Sequence, residues 1–522
     1  MTPSAHQEWV QRFRAALDAD AGRPLMAFLQ RQRWFGGKGR VMNAAHIIEA
    51  ILLDPERLRA WLVLVAVDYA GGDTERYVMP LSIRSAVGLE DPEVLAPWAF
   101  SSGSEYICDA THDPNTWMAV YEAVTQEQTL VGEQGCLNGR VLLPAQSDPP
   151  GEAKVLAGEQ SNTSVVFDER AILKLVRKVE TGINPDSEML EFLTTHATCF
   201  LAPPLFGVLT YDAPGGDASS RSTVALLQRF LPRSVDGWRY TQAHLKYVLA
   251  EVGAAKSGGS GVDAGNDSSA SFRRDMRALG AVTAELHLAL ASQPEPASFR
   301  PEPITPADVD RWQAHLRQLV ATVSQDLRGL PPNQRSSLQL TDPEIARLET
   351  ACLGWCEALR SLPRTGACKI RHHGDFHLGQ VLKIDTGFAV IDFEGEPARS
   401  LEVRRAKTCP LKDVAGMLRS FSYAAQAPMM APDRPSSAAA DWLERWEWEI
   451  RTAFLDGYRS TAMPGKAVFL PRTWEECAGI IHVYEVDKVL YEIQYELRNR
   501  PNWLPIPLTG LRRLCRAVAA HG

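Results

Sequence analysis

The sequence has no apolar run long enough to cross a membrane. Its longest, such as Trp61 to Val67, fall well short of the roughly 18 residues a span requires. It also lacks an excess of positive charge: 55 lysines and arginines stand against 63 aspartates and glutamates, a formal charge of −8. A nucleic-acid partner would need clustered cations, so none is expected, and neither is a membrane partner. The nine cysteines contain no C-x-x-C pair, which argues against a disulfide framework and a zinc site. Cys352 and Cys356 are expected to share a buried helix face as reduced thiols. The opening stretch MTPSAHQEWVQRFRAALDAD has no apolar core of a signal peptide, so the chain is expected to keep its start and to be cytoplasmic. Walker A phosphate loops and internal repeats are absent from the sequence.

What is present is ordinary globular composition, 522 residues with 45% apolar and 23% charged, enough for about three folding units. The pattern over 1–95 predicts two helices (His6 to Ala19, Pro24 to Arg31), the loop RWFGGKGR and three strands (Ala45 to Leu53, Arg59 to Tyr69, Thr74 to Ile83). Short helical patterns are expected from Glu90 to Leu130, then the Pro- and Gly-rich stretch PAQSDPPGEA. Over 153–232 strands dominate, at Lys154 to Ala157, Thr163 to Phe167, Ala171 to Val176, Leu205 to Tyr211 and Val224 to Phe230. A helix from Asp186 to Thr195 interrupts them. From Thr241 onward the chain reads as helical. Residues 256–271, KSGGSGVDAGNDSSAS, have flexible-linker composition and are expected to be a surface loop. The division is therefore 1–95, 96–232 and 233–522.

The densest chemistry lies in HHGDFHLGQVLKIDTGFAVIDFEGEP, from His372 to Pro397. Two short apolar runs, Val381 to Ile384 and Phe388 to Ile391, surround the turn Asp385-Thr386-Gly387 and are flanked by carboxylates. Strands bordered by acidic loops suit a metal–phosphate site, because Mg²⁺ takes hard oxygen ligands and keeps contact with substrate phosphates. Asp375, Gln380 and Asp392 have the residue types that phosphoryl transfer asks for. His373 and His377 flank Asp375 as H-x-D-x-H. A zinc reading would need further ligands, so ordering of the loop is the preferred role for both.

HGDFHLGQ followed by IDFE resembles the motifs of the aminoglycoside phosphotransferase and choline kinase-like group, which has the protein-kinase fold. The resemblance implies Asp375 as the catalytic group facing the acceptor hydroxyl, and Gln380 and Asp392 as magnesium ligands. Gln380 departs from the group's usual Asn. By the same logic Lys174, in the strand AILKLV, holds ATP phosphates and is set by Glu188. Ser161, Asn162, Thr163 and Ser164 would help cradle phosphate, and Gln228-Arg229-Phe230 would form the interlobe hinge for adenine.

A narrower resemblance, to bacterial maltokinases, runs over nearly the whole chain. It is carried by RQRWFGGKGR, QSNTSVVF, TAELHLAL, DFEGEP, PLKDVAGMLRSFSYAA and YEIQYELRNRPNWLPIPL. It implies an α+β bilobal protein-kinase-like fold with an N-terminal cap domain. The implied reaction is ATP- and Mg²⁺-dependent phosphorylation of maltose at C1, feeding α-glucan synthesis and trehalose–maltose metabolism. Association with a trehalose–maltose interconverting enzyme stays open. Lys488, Tyr491 and Tyr495 recur at i, i+3, i+7, so one helical face offers an ammonium and two aromatics. The family's disaccharide pocket falls there, with Glu485 and Arg500 as further contacts, against the alternative of a Tyr-rich core face. Asp413 and Arg419 are expected to brace the catalytic loop and helix packing. Trp34, Phe35 and Lys38 are expected to be cap structure, with a lid role open. Two other functions remain: an amino-sugar (glucosamine) kinase on the same scaffold, and a catalytically silent kinase-fold binding module.

Overall fold

A computed structural model of the chain describes residues 3–53, 60–85, 91–98, 105–145, 150–156, 161–216, 220–255, 262–397, 399–430, 436–464 and 467–516. Parts of the Pro- and Gly-rich stretch and of the expected surface loop, 146–149 and 256–261, lie outside the described residues. The chain forms two compact units, Met1–Thr195 with Pro203–Pro232, and His196–Ala202 with Arg233–Gly522.

The first unit opens with helices Pro3–Leu17 and Ala19–Arg31 and an antiparallel sheet. The strands of its main path lie in the order Met42–Leu52, Ala60–Tyr69, Thr74–Ser85, Glu105–Asp109, Val94–Trp98. The strand AWLVLVAVDY is apolar nearly throughout because both of its faces are covered. Trp61, Val63, Val65 and Val67 pack with Phe13 and Phe28, while Leu62 and Leu64 pack with Trp117 and Val120 on the other side.

Helical patterns were expected from Glu90, but the chain first forms the strands Val94–Trp98 and Glu105–Asp109, and only then the helix Pro114–Thr125. The sheet thus continues past residue 95. Val94–Trp98 ends the sheet's path, where Pro97 costs no ladder hydrogen bond.

A second, seven-stranded antiparallel sheet follows in the same unit and includes Thr163–Phe167, Ala171–Leu175 and Ser222–Arg229 as neighbours. Along Ala171–Leu175 burial alternates: Ala171, Leu173 and Leu175 enter the core, leaving Ile172 and Lys174 on the other face. Pairing places Ser164 and Leu226 opposite Lys174, and Gln228 opposite Ile172, on that same face.

The second unit is helical around a small sheet of Val235–Asp236, Val381–Ile384 and Gly387–Val390. Helices Val262–Leu290 and Ser437–Ala462 pack together, as do Leu411–Gln426 and Trp474–Asn499. The linker-like segment does not remain a loop: residues 262–271 belong to the helix Val262–Leu290. Nucleation is the costly step of helix formation, so turns of weak propensity can extend a helix already anchored by packing. All nine cysteines are free thiols, with Cys352 and Cys356 buried on one helix. Among the described residues no helix is long and apolar enough to cross a membrane.

Candidate active site

The hairpin Val381–Ile384/Gly387–Val390 decides which side chains of the motif meet. Val381 pairs with Val390, and the Ile391 N–H donates to the Gln380 carbonyl at 3.0 Å. Residues just before the first strand and just after the second therefore sit side by side. Gln380 Nε2 donates to Asp392 Oδ2 at 2.9 Å. Asp392 has φ +66°, a left-handed conformation that a non-glycine residue holds only when its surroundings impose it. The carboxylates of Asp392 and Glu394 lie within 4.8 Å of each other. Sequence reasoning missed Glu394, whose signal was the acidic alternation D-F-E. Hard oxygens from Asp392, Glu394 and the Gln380 amide carbonyl form a donor set that fits a magnesium ion.

Asp375 is presented by the loop before the hairpin. Gly374 turns the chain there with φ +88°. The loop is fixed by the buried Asp413, whose carboxylate accepts from the His373 N–H at 2.7 Å and the Gly374 N–H at 2.9 Å. Oδ2 of Asp413 also meets His287 Nε2 at 3.1 Å, and His287 Nδ1 meets the Tyr458 hydroxyl at 3.0 Å. Burial works to raise the Asp413 pKa, but His372 and His287 outweigh it and hold the group well below the carboxylate range. Asp413 stands on the helix Leu411–Gln426, which supports the loop twice more. Ser420 Oγ accepts from the Leu378 N–H at 3.0 Å, and Gly416 lies so close that a Cβ there would be 2.6 Å from the Phe376 carbonyl oxygen.

His373 donates from Nε2 to the Ile391 carbonyl at 3.0 Å, and its Nδ1 accepts from the Asp375 N–H at 3.4 Å. With both nitrogens engaged it orders the loop and has no lone pair left for zinc. His377 Nδ1 accepts from the Gly379 N–H at 3.0 Å, capping the short turn that leads to Gln380.

Lys488, from the helix Trp474–Asn499, reaches the Asp375 carboxylate. Its ammonium donates to Asp375 Oδ1 at 2.8 Å and to Glu396 Oε1 at 3.2 Å. Tyr491 lies one turn further, its ring 4.8 Å from the ammonium. Burial opposes ionisation of Asp375, yet Lys488 and His377 hold its pKa below the ordinary value. Burial likewise opposes the Lys488 charge, and Asp375 with Glu396 overrides it and raises that pKa. Glu396 is itself held at about 2, against burial, by Lys412, Lys488 and Arg399.

The other expected sugar contacts have different partners. Both oxygens of Glu485 are taken by Arg451 at 2.8 and 2.9 Å, and the side chain is buried. That geometry gives Glu485 a place in the helix packing, as the partner of Arg451. Arg500 closes on Glu496 at 2.6 and 3.0 Å and lies over the exposed Tyr495 ring. Arg419 is paired with Glu492 at 2.7 Å, a buried brace between helices.

In the first unit Lys174 donates to Asp186 at 2.9 Å. Asp186 is a buried partner that sequence reasoning did not name, two residues before Glu188 in the same first turn of the helix Pro185–His196. Of the expected phosphate cradle, Ser164 shares the Lys174 face. Thr163 does not, because alternation turns it over, and its hydroxyl accepts from the buried Arg177 Nε at 2.8 Å. Asn162 Oδ1 also accepts from Arg177, through its N–H at 3.3 Å, while Ser161 is exposed. Gln228 lies on the Lys174 face. Phe230 lines a cavity of about 290 Å³ together with Phe167, Ala171 and Arg229, whose strand positions belong to the opposite face.

Residues 28–113 match the family model of the maltokinase N-terminal cap domain. The chain is 26% identical over 377 residues to a glucosamine kinase of Streptacidiphilus jiangxiensis, covering 70% of this chain and 73% of that protein. To a glucosamine kinase of Mycolicibacterium smegmatis it is 26% identical over 379 residues, 72% of this chain and 83% of that protein. A solved glucosamine kinase, in complex with glucosamine, ADP and inorganic phosphate, superposes with a TM-score of 0.64 at 19% identity. That alignment covers 98% of this chain and 100% of the other. The chain has the α+β fold of that glucosamine kinase, and its N-terminal residues 28–113 match a maltokinase cap domain.

Proposed function

We propose that the chain is an ATP-dependent sugar kinase that phosphorylates maltose at its anomeric C1 hydroxyl, giving maltose 1-phosphate and ADP for α-glucan synthesis. The observation that carries the reading is the Asp375 carboxylate, fixed through Asp413 and ion-paired with Lys488. With Oδ1 occupied by Lys488, the second oxygen of Asp375 is the one to accept a hydrogen bond from the C1 hydroxyl and align it for in-line attack. Asp392, Gln380 and Glu394 would hold magnesium, which supplies neutralisation of phosphate charge. Lys174, set by Asp186, would bind nucleotide phosphates, with Ser164 and Gln228 on its face. In this reading the first unit supplies the cap and the nucleotide-binding elements, and the second supplies the catalytic loop and the acceptor site.

A neutral acceptor suits the charge balance around Asp375. Lys488 and Arg399 together balance Asp375 and Glu396, and an amino sugar would bring a third cation to that cluster. Tyr491 offers a ring of the kind that packs on a pyranose face. The rival acceptor, glucosamine, is favoured by the glucosamine kinases among the relatives. ADP release from Mg-ATP by the purified chain tests the reading. Release that depends on maltose and disappears in Asp375→Asn is expected, whereas no release with any sugar contradicts a kinase.

A further inference from the structure

Just after the strand that carries Lys174, the chain crosses from the seven-stranded sheet into the sheet of the cap. Lys178–Val179 pairs antiparallel with the cap strand Thr74–Ser85, Lys178 opposite Tyr77 and Val179 opposite Arg76. Arg177 stands at the crossing. Its carbonyl accepts from the Val78 N–H at 2.8 Å, so its backbone is held on the cap side.

The Arg177 side chain is fully buried and reaches in both directions. Toward the seven-stranded sheet, Nε donates to the Thr163 hydroxyl at 2.8 Å, and the backbone N–H donates to Asn162 Oδ1 at 3.3 Å. Toward the cap, Nη2 donates to the Thr111 hydroxyl at 2.8 Å and Nη1 to the Val78 carbonyl at 3.3 Å. The Trp34 ring lies 4.6 Å from the guanidinium carbon, within cation–π distance. Trp34, Val78 and Thr111 all fall within the cap residues 28–113. The counter-charge is Asp109, reached through Thr111, whose hydroxyl donates to Asp109 Oδ1 at 2.6 Å. Burial pushes the guanidinium pKa down to about 10 against the pull of Asp109, so the group stays charged at neutral pH.

A charge held out of water is costly unless its hydrogen bonds are kept. Here those bonds come from both sheets, and a shift of one against the other would break them. Thr163 is the neighbour of Ser164, which lies opposite Lys174 in the ladder. Holding Thr163 by its hydroxyl therefore fixes the position of Ser164 and of the turn before it.

We propose that Arg177 is a positioning residue through which the cap acts on the nucleotide site: it ties Asn162 and Thr163 to Trp34, Val78 and Thr111, and so sets where Ser164 and Lys174 meet the phosphates. The inference rests on the kinase reading and gives the cap a task within it.

The test is calorimetric titration of the full chain with Mg-ADP in the absence of sugar, with steady-state KM for Mg-ATP and for maltose alongside. Arg177→Met keeps the length and apolar bulk of the side chain and removes its donors. Mg-ADP binding should weaken and the KM for Mg-ATP rise by about tenfold, the scale of one hydrogen bond to a charged group, while kcat and the KM for maltose stay near wild type. Thr111→Val alters the cap side alone and should weaken Mg-ADP binding in the same direction, and Thr111→Ser, which keeps the hydroxyl, should restore it. A role in stability alone would lower the folded fraction, and with it kcat, at unchanged nucleotide affinity. Wild-type affinity in folded Arg177→Met overturns the positioning role. If that variant does not fold, wild-type affinity in Thr111→Val overturns it. A wild-type chain that binds no Mg-ADP overturns the kinase reading and the inference with it, so the wild-type titration tells the two failures apart.

Discussion

Lys488 and Asp375, 113 residues apart in sequence, form an ion pair of 2.8 Å. The lysine side chain is 15% exposed, and its ammonium is shared between Asp375 and Glu396. Lys488 was expected to touch the sugar. Its position gives it a second task, which is to hold the proposed catalytic carboxylate ionised and in one orientation.

Replacing Lys488 by Met should therefore do more than weaken acceptor binding. Burial alone raises the pKa of Asp375, so without the ammonium the acid limb of kcat/KM should move to higher pH, by about 1 to 3 units. Lys488→Arg should retain most of the wild-type profile. A pH profile unchanged in Lys488→Met, with KM alone raised, would leave the lysine a sugar contact and nothing more.

Asp375→Asn preserves shape and removes the charge. Turnover should fall by about 10² to 10⁴ while Mg-nucleotide affinity stays near wild type. Asp392→Ala should do the reverse and abolish the magnesium dependence of nucleotide binding, measured by titration with and without the metal. Near-normal turnover in the first variant, or unchanged Mg-ATP affinity in the second, would refute the assigned roles.

Gly416→Ala tests the support of the proposed catalytic loop. A Cβ at 2.6 Å from the Phe376 carbonyl oxygen must push the backbone of either the helix or the loop. A stability loss of about 1 to 3 kcal/mol is expected in denaturant titration, with turnover reduced and nucleotide affinity kept. A variant of wild-type stability and turnover would show that the loop can yield.

Stability should fall in mild acid. His372 is buried and His244 half-buried, and burial lowers each pKa to about 4, below the value near 6.5 of an unfolded chain. The unfolded state therefore takes up protons first. Stability is fully present above about pH 6.5 and is lost as pH falls toward 4, by up to about 3 kcal/mol for His372 and by less for His244, whose partial exposure screens the charge. Stability measured against pH should flatten in this window for His244→Phe. A wild-type curve already flat between pH 6.5 and 4 would contradict the argument.

Much of the proposed catalytic loop was legible because its chemistry is local in sequence. The hairpin turn Asp385-Thr386-Gly387 and its apolar flanks predict the strands, and the strands force Gln380 against Asp392. Strand alternation could also have been used to separate Ser164 from Thr163, since it follows from counting residues along TSVVF. Other features are tertiary. Asp186 and Glu188 are both acids in one helical turn, and only packing brings Asp186 onto Lys174. Glu485 and Lys488 stand on one helix three residues apart, and only the position of Arg451 shows that the glutamate is bound inside. The strands Val94–Trp98 and Glu105–Asp109 were obscured by their shortness and by Pro97. The linker-like composition of 262–271 was overridden by continuation of a long packed helix.

The central claim is phosphoryl transfer to C1 of a neutral disaccharide. The most direct measurement offers the purified chain Mg-ATP with maltose, glucose, glucosamine or trehalose separately, and locates the phosphate in any product by phosphorus NMR. The account predicts a C1 phosphate on maltose and little or no product from the others. Preferential phosphorylation of glucosamine would contradict the acceptor assignment while sparing the roles of Asp375 and Asp392, and silence with every sugar would contradict the enzyme itself.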